Sequence, residues 1–572
     1  MNYLCKYAPV ELFQSFGEEV SYKNPSIRFI EEEKVSLHRN VCGFCRALDQ
    51  VYAEGNQEDL ILTSCCNSID ALNTTLKERG VKTWMVPIPF QQEECHIQGY
   101  AKVLKNLAKT LEKEKNQPFD PQAFRDAFPL REEKEPVPYL ALLGSRLPQG
   151  LLDYMSSRSQ LPIKNYTCTS DRNLGQPPEI DDFDGLMDWY AQALLRQRSC
   201  MRMADNTDHR HLFNDPFLRG GIFCTVSFCD FYAFEYAYFK NHTTLPVVKI
   251  ETDYTDQESG QIETRLEAFF ETIKGLGYAQ KTSPSSAKEG PYSKNLERIH
   301  FMNSAHSNAS VAYDRDHYFA GIDSGSTSTN CVIIKGDQLV ASGSRLTGVD
   351  VQKSADLILT QCINEANLKK EDILSITTTG YGRNRIDLKD NDVTEISCHA
   401  AGAHFLNPKV HTVIDIGGQD SKVIHLDDQG RVINFAMNDK CAAGTGKFLE
   451  LMAMTLGMTV EEMSKKGLEY KREIKISSMC SVFAQSEVVS LIADGYDVAD
   501  IIHGLNVSVA NKVLALGGRR GMEEEFMMTG GVARNQGVRE VIEKKVGRKL
   551  YIHENPDICG AIGAALYARG GI

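Results

Sequence analysis

Two segments of the chain share one order of strand patterns and small polar turns, and this repeat constrains the fold most strongly. Residues 317–344 read HYFAGIDSGSTSTNCVIIKGDQLVASGS, and residues 413–433 read VIDIGGQDSKVIHLDDQGRVI. Each segment predicts a strand, a Gly-rich tip, a second strand, a Gly-containing turn and a third strand. A chain that repeats such a unit is expected to form two similar α/β lobes.

The tips of the two hairpins are suited to the phosphates of a nucleotide. Backbone N–H groups and hydroxyls of a Gly-rich turn bind anions, and a nearby aspartate can hold hydrated Mg²⁺. The later segment FMMTGGVARNQGV at 526–538 predicts a strand, a Gly-Gly loop and a helix start. We therefore predict two lobes closing on ATP, with Asp323 and Asp415 as catalytic residues that position Mg²⁺ and the attacking water. The predicted nucleotide-binding residues are Gly325, Ser326, Thr327, Ser328, Gly417, Gly418, Gln419, Asp420, Gly444, Gly446, Gly530, Gly531 and Asn535.

Two cysteines of the second half precede helical patterns. Cys441 is followed by Gly-Thr-Gly and then by an apolar helical pattern, and Cys480 is followed directly by another. A thiolate at a helix start lies at the positive end of the helix dipole, which favours its charge. Such cysteines are either small core residues or metal ligands. A cubane iron–sulfur cluster takes about four thiolates, so two per chain would fit a cluster shared across a two-fold dimer.

Composition and charge limit the classes of function. The chain has 572 residues and a net charge of −13, which argues against general binding of nucleic acid. It shows no apolar run of about 18 residues and no positively charged leader with an apolar core, so we expect neither membrane insertion nor export. Its 16 cysteines are more typical of metal or cluster ligands in a reducing cytoplasm than of a disulfide framework.

Strand and helix patterns alternate in the first half, which predicts α/β subdomains with parallel sheets. We predict two subdomains, at about 1–135 and 136–278, then a polar linker at 279–315 that is rich in Ser, Asn, Lys, Gly and Pro. The two-lobed ATP-binding domain then occupies 316–572. The predicted strands of the first half are DLILTS (59–64), VKTWMVPIP (81–89), YLALLGS (139–145), GGIFCTVSFCD (220–230) and LPVVKIETDY (245–254).

Several cysteines of the first half lie where an open α/β sheet binds ligands. Cys65, Cys66 and Cys229 fall at the carboxyl ends of predicted strands. Cys42 and Cys45 form a C-x-x-C pair, which is typical of a redox pair, of half a zinc site or of cluster ligands. A zinc site would need a second such pair or paired histidines, and the sequence offers neither. The cysteines without such a context, which we interpret as structural, are Cys5, Cys95 and Cys224.

The second half resembles a known class of ATPases. Its hairpins and Gly-Gly loop are similar to those of the sugar kinase, heat-shock chaperone and actin superfamily. Within that superfamily, about residues 317–570 resemble the activator (component A) of 2-hydroxyacyl-CoA dehydratases. The segments that carry this resemblance are GIDSGSTSTN, TTGYGR, EISCHAAGA, DIGGQD, NDKCAAGTGKFLE, CSVFAQSEV and TGGVARN. A homodimer of that family holds one [4Fe-4S] cluster through two cysteines of each subunit, and the resemblance implies Cys441 and Cys480 as these ligands.

The first half resembles the dehydratase subunits themselves. The matching segments are KYAPVELFQSFG, RNVCGFCR, TSCCNS, RSCMRM, SFCDFYAFEY and IETDYTDQESGQIETRLEAFFE. The resemblance implies a further iron–sulfur cluster, and some relatives carry a double-cubane cluster. CGFC and CC stand where the family has single cysteines and the segment is short, so an electron-accepting or docking module is an alternative to a complete dehydratase. The implied ligands, the three best matched first, are Cys42, Cys66, Cys229, Cys45, Cys168 and Cys200.

These observations predict an ATP-dependent one-electron reductase in the cytoplasm. A ferredoxin or flavodoxin would reduce the [4Fe-4S] cluster, and hydrolysis of MgATP would drive the electron to a dehydratase-type or double-cubane acceptor. The predicted partners are a second copy of the chain, this electron donor and a dehydratase-like protein or module. Two alternatives share the fold: a sugar or carboxylate kinase with Asp415 as general base, and a regulatory ATPase. Both leave Cys441 and Cys480 without a role.

Overall fold

The computed structural model divides into two compact units. Of the residues that it describes, those up to Leu266 form the first unit and those from Glu267 onward form the second. The predicted linker at 279–315 lies outside the described residues, as do Cys200 and Cys229. The described residues are 1–25, 27–129, 136–169, 172, 174–197, 212–226, 236, 239, 243–255, 259–277, 316–439, 441–477, 480–517 and 524–570.

Two four-stranded parallel sheets form the frame of the first unit. The strands of the first sheet are β1 (Asn2–Tyr3), β2 (Ser21–Tyr22), β3 (Leu60–Thr63) and β4 (Thr83–Val86), in the order β2-β1-β3-β4. The strands of the second are β5 (Tyr139–Gly144), β6 (Ile163–Asn165), β7 (Leu218–Val226) and β8 (Val247–Thr252), in the order β6-β5-β7-β8. Central strands that are covered on both faces read as apolar runs, as β3 and β5 do. The predicted tandem parallel sheets are confirmed.

Helices connect these strands and cover the sheets. In the longest of those described, every third or fourth residue is apolar and buried, including Ile97, Tyr100, Leu104 and Leu111. This face joins the core of the first sheet. The helices are α1 (Val10–Gln14), α2 (Gly43–Ala53), α3 (Asn67–Glu78), α4 (Glu94–Lys115), α5 (Pro121–Asp126), α6 (Gln149–Arg158), α7 (Phe183–Arg196) and α8 (Ser259–Gly275). The residues of α8 from Glu267 onward belong to the second unit.

The second unit contains two five-stranded sheets with the same strand order. The first is built from β9 (Tyr318–Ser324), β10 (Ser328–Lys335), β11 (Gln338–Leu346), β12 (Ile373–Thr379) and β13 (Asn391–Asp392), in the order β11-β10-β9-β12-β13. The second is built from β14 (Thr412–Ile416), β15 (Ser421–Leu426), β16 (Val432–Asn438), β17 (Phe526–Thr529) and β18 (Leu550–Tyr551), in the order β16-β15-β14-β17-β18. In both, three antiparallel strands continue into two parallel ones. The repeat in the sequence is therefore a repeat of architecture.

The helices of the second unit pack on these sheets, and one made of small residues allows a very close approach. A Cβ atom on Gly563 would lie 1.8 Å from the Cys398 carbonyl oxygen, and one on Gly321 of β9 would lie 2.0 Å from the Ala561 carbonyl oxygen. No helix of the described chain is long and apolar enough to cross a membrane. The helices are α9 (Val351–Glu365), α10 (Glu395–Leu406), α11 (Gly446–Thr455), α12 (Val460–Lys466), α13 (Ser481–Ala493), α14 (Val498–Gly517), α15 (Gln536–Val546) and α16 (Cys559–Arg569).

Candidate functional site

The shared strand order places two aspartates at equivalent positions. Asp323 is the penultimate residue of β9, and Asp415 is the penultimate residue of β14. Asp323 pairs with Asn330 across β9 and β10, and Asp415 pairs with Lys422 across β14 and β15. Both aspartates are buried. The repeat therefore brings the two predicted catalytic acids to matching ends of the two sheets.

Lys422 is a buried cation that contacts three carboxylates. Its side chain is 2% exposed, and its Nζ lies 2.6 Å from Asp420 Oδ2, 3.1 Å from Asp415 Oδ2 and 3.2 Å from Glu395 Oε1. Within the described chain, only the contact with Asp415 has hydrogen-bond geometry. One lysine is thus shared among three acids, and its strongest directional contact goes to Asp415.

The carboxyl groups in this cluster differ in pKa and therefore in charge at neutral pH. Burial alone would raise the pKa of Asp415, but the attraction of His399 and Lys422 outweighs it and lowers that pKa to about 2. At Glu395 burial dominates over Lys422 and raises the pKa to about 8. Burial would lower the pKa of Lys422, but the surrounding carboxylates raise it well above its ordinary value. At neutral pH, Asp415 and Lys422 are therefore charged, whereas Glu395 retains its proton.

Replacing Glu395 with glutamine is expected to remove a pH dependence of stability. The folded chain keeps a proton on Glu395 up to about pH 8, whereas the ordinary glutamate pKa is 4.5. The free energy of unfolding should therefore fall as the pH rises between these values, by at most about 1.4 kcal/mol per pH unit. Glutamine resembles the protonated acid, so Glu395→Gln should flatten this dependence. Urea unfolding from pH 5 to 9, with EDTA and without nucleotide, measures how the free energy of unfolding changes with pH in the wild-type protein and in Glu395→Gln. Equal slopes in the two proteins would contradict the prediction.

His399 of α10 lies between the two aspartates. Its Nε2 is 3.9 Å from Asp323 Oδ2, and its Nδ1 is 3.7 Å from Asp415 Oδ1. Thr529 donates a hydrogen bond to Asp415 Oδ1 at 2.9 Å. Burial raises the pKa of Asp323 against the attraction of His399 and Lys422. A divalent cation would place a positive charge beside Asp323 and favour its ionised form. The pair of aspartates therefore fits hydrated Mg²⁺.

The two Gly-rich tips close in the same way and meet in front of the buried acids. Gly325 N–H donates to the Ser328 carbonyl at 2.9 Å, and Gly417 N–H donates to the Asp420 carbonyl at 3.0 Å. A Cβ atom on Gly418 would lie 2.1 Å from Thr327 Oγ1, so the tips are in close contact. The turn residues Ser326, Thr327 and Gln419 are exposed. Exposed backbone above buried acids is the arrangement that a triphosphate and its metal require.

The Gly-Gly loop after β17 approaches the same acids. Gly530 has a φ of +80°, and a Cβ atom there would lie 2.5 Å from the Ile416 carbonyl oxygen and 2.9 Å from Asp415 Oδ1. Only glycine combines this backbone conformation with this approach. Gly531 follows in an exposed turn. The structure thus places the third predicted nucleotide segment beside Asp415.

Two other predicted nucleotide residues have structural roles. Asn535 caps α15 by accepting a hydrogen bond from Val538 N–H at 3.0 Å, although its buried Nδ2 has no hydrogen-bond partner within the described chain. Gly444 is buried with a φ of +90°, and a Cβ atom there would lie 2.9 Å from Lys512 Cγ. The binding of nucleotide by Asn535 and Gly444 stays a prediction.

Cys441 precedes α11, as the sequence predicts, but it is not the residue at the start of that helix. The helix begins at Gly446 after its N-cap, Thr445. Residues 442–445 separate Cys441 from the helix and form a turn with positive φ at Gly444. Cys441 is half-buried, and Asn438 Nδ2 donates to its carbonyl oxygen at 2.8 Å. The helix dipole therefore acts on Cys441 less directly than the sequence pattern suggests.

The first residues of α11, which follow this turn, contact the second nucleotide tip. Gly446 N–H donates to the Gly417 carbonyl at 2.9 Å, and Lys447 N–H donates to the Gly418 carbonyl at 2.8 Å. These first N–H groups of α11 have no partner inside the helix. The second tip is therefore hydrogen-bonded directly to the first residues of α11, which follow the segment that carries Cys441.

Cys480 begins α13 as predicted, and it lies beside an exposed apolar face. It is the N-cap residue of the helix, and its side chain is exposed. Ala484 and Val488 turn inward and join the core of this lobe. An apolar face of this kind is typical of a surface that another protein covers. Its members are Val482, Phe483, Val489 and Ile492 of α13, with Met454 at the end of α11.

Four described cysteines of the first unit lie either just after β3 or at the start of α2. Cys66 directly precedes α3, which follows β3, and Cys42 directly precedes α2. A hydrogen bond from Cys45 lowers the pKa of Cys42 to about 7, against burial. Cys65 is hydrogen-bonded to Cys66. Cys42, Cys45, Cys65 and Cys66 contact a single apolar cluster, so the structure brings these four thiols together.

Further cysteines have different surroundings. Cys168 and Cys65 pack against a second apolar cluster that includes Cys5, although the sequence pattern indicates a structural role for Cys5. Cys224 is buried within β7, and its carbonyl accepts a hydrogen bond from Ser145 Oγ at 3.1 Å. Cys95 is exposed. Cys5 and Cys168 therefore lie near the four thiols described above, whereas Cys224 is a core residue.

Sequence reasoning missed three residues of the candidate nucleotide site: Lys422, Glu395 and His399. Lys422 is the one charged residue in the strand SKVIHL, and it lies opposite Asp415 across the tip. Counting pairs outward from the Gly-Gly tip would have placed it there. Glu395 and His399 are four residues apart in EISCHAAGA, on one face of a helix.

The duplicated lobes, the facing Gly-rich tips and the buried acids define a two-lobed ATPase of the actin and sugar kinase class, which confirms the predicted fold class. Residues 320–568 match the BadF/BadG/BcrA/BcrD ATPase family. Residues 5–137 and 132–273 match the 2-hydroxyglutaryl-CoA dehydratase D-component family. The chain belongs to the family of ATPases that includes the activators of 2-hydroxyacyl-CoA dehydratases, as the relatives described next show.

Relatives of the second unit are similar over nearly their whole length. The (R)-2-hydroxyglutaryl-CoA dehydratase activating ATPase of Acidaminococcus fermentans is 46% identical over 253 residues, 44% of this chain and 96% of that protein. The 2-hydroxyisocaproyl-CoA dehydratase activator of Clostridioides difficile is 41% identical over 252 residues, 44% of this chain and 94% of that protein. The crystal structure of the Acidaminococcus fermentans (R)-2-hydroxyglutaryl-CoA dehydratase component A covers 44% of this chain and 98% of its own, with a TM-score of 0.43 and 44% identity. The predicted family membership and ATPase activity are confirmed.

Proposed function

We propose that the protein couples ATP hydrolysis to the transfer of single electrons at low potential, as an activator of a 2-hydroxyacyl-CoA dehydratase-type or double-cubane acceptor. One observation carries the proposal: the hydrogen bonds that join the second nucleotide tip to the helix after Cys441. They link the site that would bind phosphate to a thiol that would bind a redox group. A kinase or a regulatory ATPase of this fold has no need of such a thiol.

The residues of the two lobes would have different roles in ATP hydrolysis. The exposed tips would hold the phosphates, with Ser326, Thr327, Gly417 and Gly418 in contact with them. Mg²⁺ would neutralise charge that develops on the transferring phosphoryl group. Asp415 remains ionised next to Lys422 and orients the attacking water, and Asp323 faces it from the other lobe. Such a site acts by positioning and by charge rather than by covalent chemistry.

Cys441 and Cys480 supply two thiols per chain, so we propose that two chains share one [4Fe-4S] cluster. When bound, such a cluster supplies a one-electron redox centre. The exposed apolar face beside Cys480 supports a symmetric partner, because a second copy would cover it. Cys480 is open to solvent and Cys441 is half-buried, which suits thiols that complete a site together with another chain.

Differential affinity for two conformations would couple the two sites. Binding and hydrolysis of ATP would shift the second tip, and Gly446 and Lys447 would carry that shift into α11 and toward Cys441. A nucleotide can bias the orientation of α11 only as far as it binds one state more tightly than the other. A ferredoxin or flavodoxin is the proposed electron donor.

We propose a second iron–sulfur cluster in the first unit, where the electron would arrive. Cys42 and Cys45 at the start of α2 and Cys66 after β3 pack against one apolar cluster, and Cys168 packs against a second cluster together with Cys65. Cys200 and Cys229 remain candidate ligands from their sequence context. The described cysteines are all free thiols, which suits the reducing cytoplasm that we propose as the location.

Replacing Asp415 with asparagine is expected to reduce ATP hydrolysis at least about a hundredfold and to leave the iron content unchanged. Asparagine keeps the shape of the side chain but removes the charge that Lys422 and His399 stabilise. Phosphate release and iron content are measured on the same anaerobic preparation. Asp428→Asn is the matched control, because Asp428 is an exposed residue of the same three-stranded segment. Normal turnover in Asp415→Asn would show that the hairpin is not the phosphate site.

A further inference from the structure

Arg146 is a buried cation beside the cysteines of the first unit. It follows β5 at the carboxyl end of the second sheet and is only 7% exposed. Its guanidinium carbon lies 3.7 Å from the centre of the Phe44 ring. Phe44 lies between Cys42 and Cys45 on the first turn of α2. The helix that presents two thiols therefore also holds the guanidinium in place.

Within the described residues, the charge of Arg146 interacts most strongly with thiols and phenols. The groups that interact most strongly with this charge are the side chains of Cys168, Tyr22, Tyr254 and Cys65. Its Nη1 is buried and has no hydrogen-bond partner within the described residues. A buried cation is unfavourable unless an anion offsets it. The surroundings of Arg146 thus fit an anion formed when these thiols are ionised and bound to metal.

We propose that Arg146 stabilises the added negative charge when the cysteine site of the first unit accepts an electron. This inference rests on the proposed second cluster and assigns it a residue that controls its reduction potential. A cluster held by thiolates is negatively charged, and reduction adds one further negative charge as one electron leaves the donor and enters the site. A fixed positive charge in a buried environment favours the reduced form. Arg146 therefore makes this site a stronger electron acceptor.

The ring of Phe44 explains why an arginine occupies this position. A planar guanidinium can stack on an aromatic face while its N–H groups point outward in a fixed fork. Lysine would keep the charge without the planar stacking. Methionine would keep much of the apolar stem and remove the charge. These two substitutions separate the effect of charge from that of shape.

The test uses the full-length chain with Cys441→Ala and Cys480→Ala, so that iron bound by the first unit is measured alone. After anaerobic reconstitution with iron and sulfide, the reduced fraction is followed by visible and EPR spectroscopy during a redox titration. With Arg146→Met added to this parent we expect the iron content of the parent and an about tenfold lower ratio of reduced to oxidised cluster at any fixed potential, which is a shift of about 59 mV for a one-electron couple. Arg146→Lys should retain most of the parent ratio. Arg158→Met is the matched control, since Arg158 also lies over a ring, that of Tyr154 at 5.6 Å.

The outcomes distinguish a failure of the role of Arg146 from a failure of the proposed second cluster. Absence of iron from the parent protein overturns both the second cluster and the role of Arg146. Iron with an unchanged ratio in Arg146→Met overturns the role of Arg146 alone. If Arg146→Met loses the iron, retention in Arg146→Lys supports the role of charge, whereas loss from both variants overturns it in favour of a role in packing.

Discussion

Replacing Lys422 with methionine is expected to lower the free energy of unfolding by about 3 to 5 kcal/mol and ATP hydrolysis roughly a hundredfold or more. Lys422 is the cation that Asp415, Asp420 and Glu395 share. Its removal leaves buried carboxyl groups without a compensating charge, and such groups take up protons instead. A protonated Asp415 can no longer orient a water or attract Mg²⁺. Urea unfolding and phosphate release measure the two effects.

The control for Lys422 is Lys465→Met, because Lys465 is an exposed lysine of the same unit that pairs with Glu461 at 3.0 Å. An exposed pair of this kind contributes at most about 1 kcal/mol, so this variant should behave like the wild-type protein. The loss in free energy of unfolding caused by Lys422→Met should also shrink as the pH falls toward 5, because protonation of the buried acids relieves the repulsion among them. A loss of stability that does not change with pH would mean that Lys422 acts through packing alone.

The duplicated lobes could be predicted because their signals are local. A Gly-rich tip between two apolar strands specifies a hairpin from neighbouring residues alone, and the chain does this twice. The pairing of Asp415 with Lys422 follows from the hairpin register and was also within reach of the sequence. The approach of His399 to both aspartates was not, because it depends on how α10 packs between the two sheets.

The cysteines also differ in how far their positions could be predicted from the local sequence. Cys480 directly precedes its helix, and the structure makes it the N-cap. Cys441 is separated from α11 by residues 442–445, and the apolar pattern does not reveal the turn that they form at Gly444. The neighbourhood of Arg146 joins residues from different sheets of the first unit, and no spacing along the chain encodes it. Sequence patterns located the hairpin tips and the two aspartates, whereas tertiary packing determines which groups share a charge.

Replacing Cys480 with alanine is expected to remove the shared cluster, to weaken the dimer and to leave ATP binding intact. A cubane on a two-fold axis would take Cys441 and Cys480 from both chains, so losing one thiol per chain removes two of about four ligands. Iron content should fall by about two atoms per chain, since a four-iron cluster belongs to two chains. The hairpin tips and Lys422 are unchanged, so nucleotide affinity should remain at the wild-type level. Iron analysis, sedimentation and calorimetry with an ATP analogue measure the three effects.

A second variant separates the cluster from the apolar face. Phe483 is 68% exposed on the face beside Cys480, so Phe483→Asp would place a charge in the proposed dimer contact and keep both thiols. If the site needs two chains, this variant should also lose the cluster and become monomeric, whereas Ser490→Ala on the same helix should change neither property. A stable monomer of Phe483→Asp that carries the full iron content would show that a single chain supplies all the ligands. Cys441 and Cys480 would then need two further thiols from their own chain, and the two-fold arrangement would be excluded.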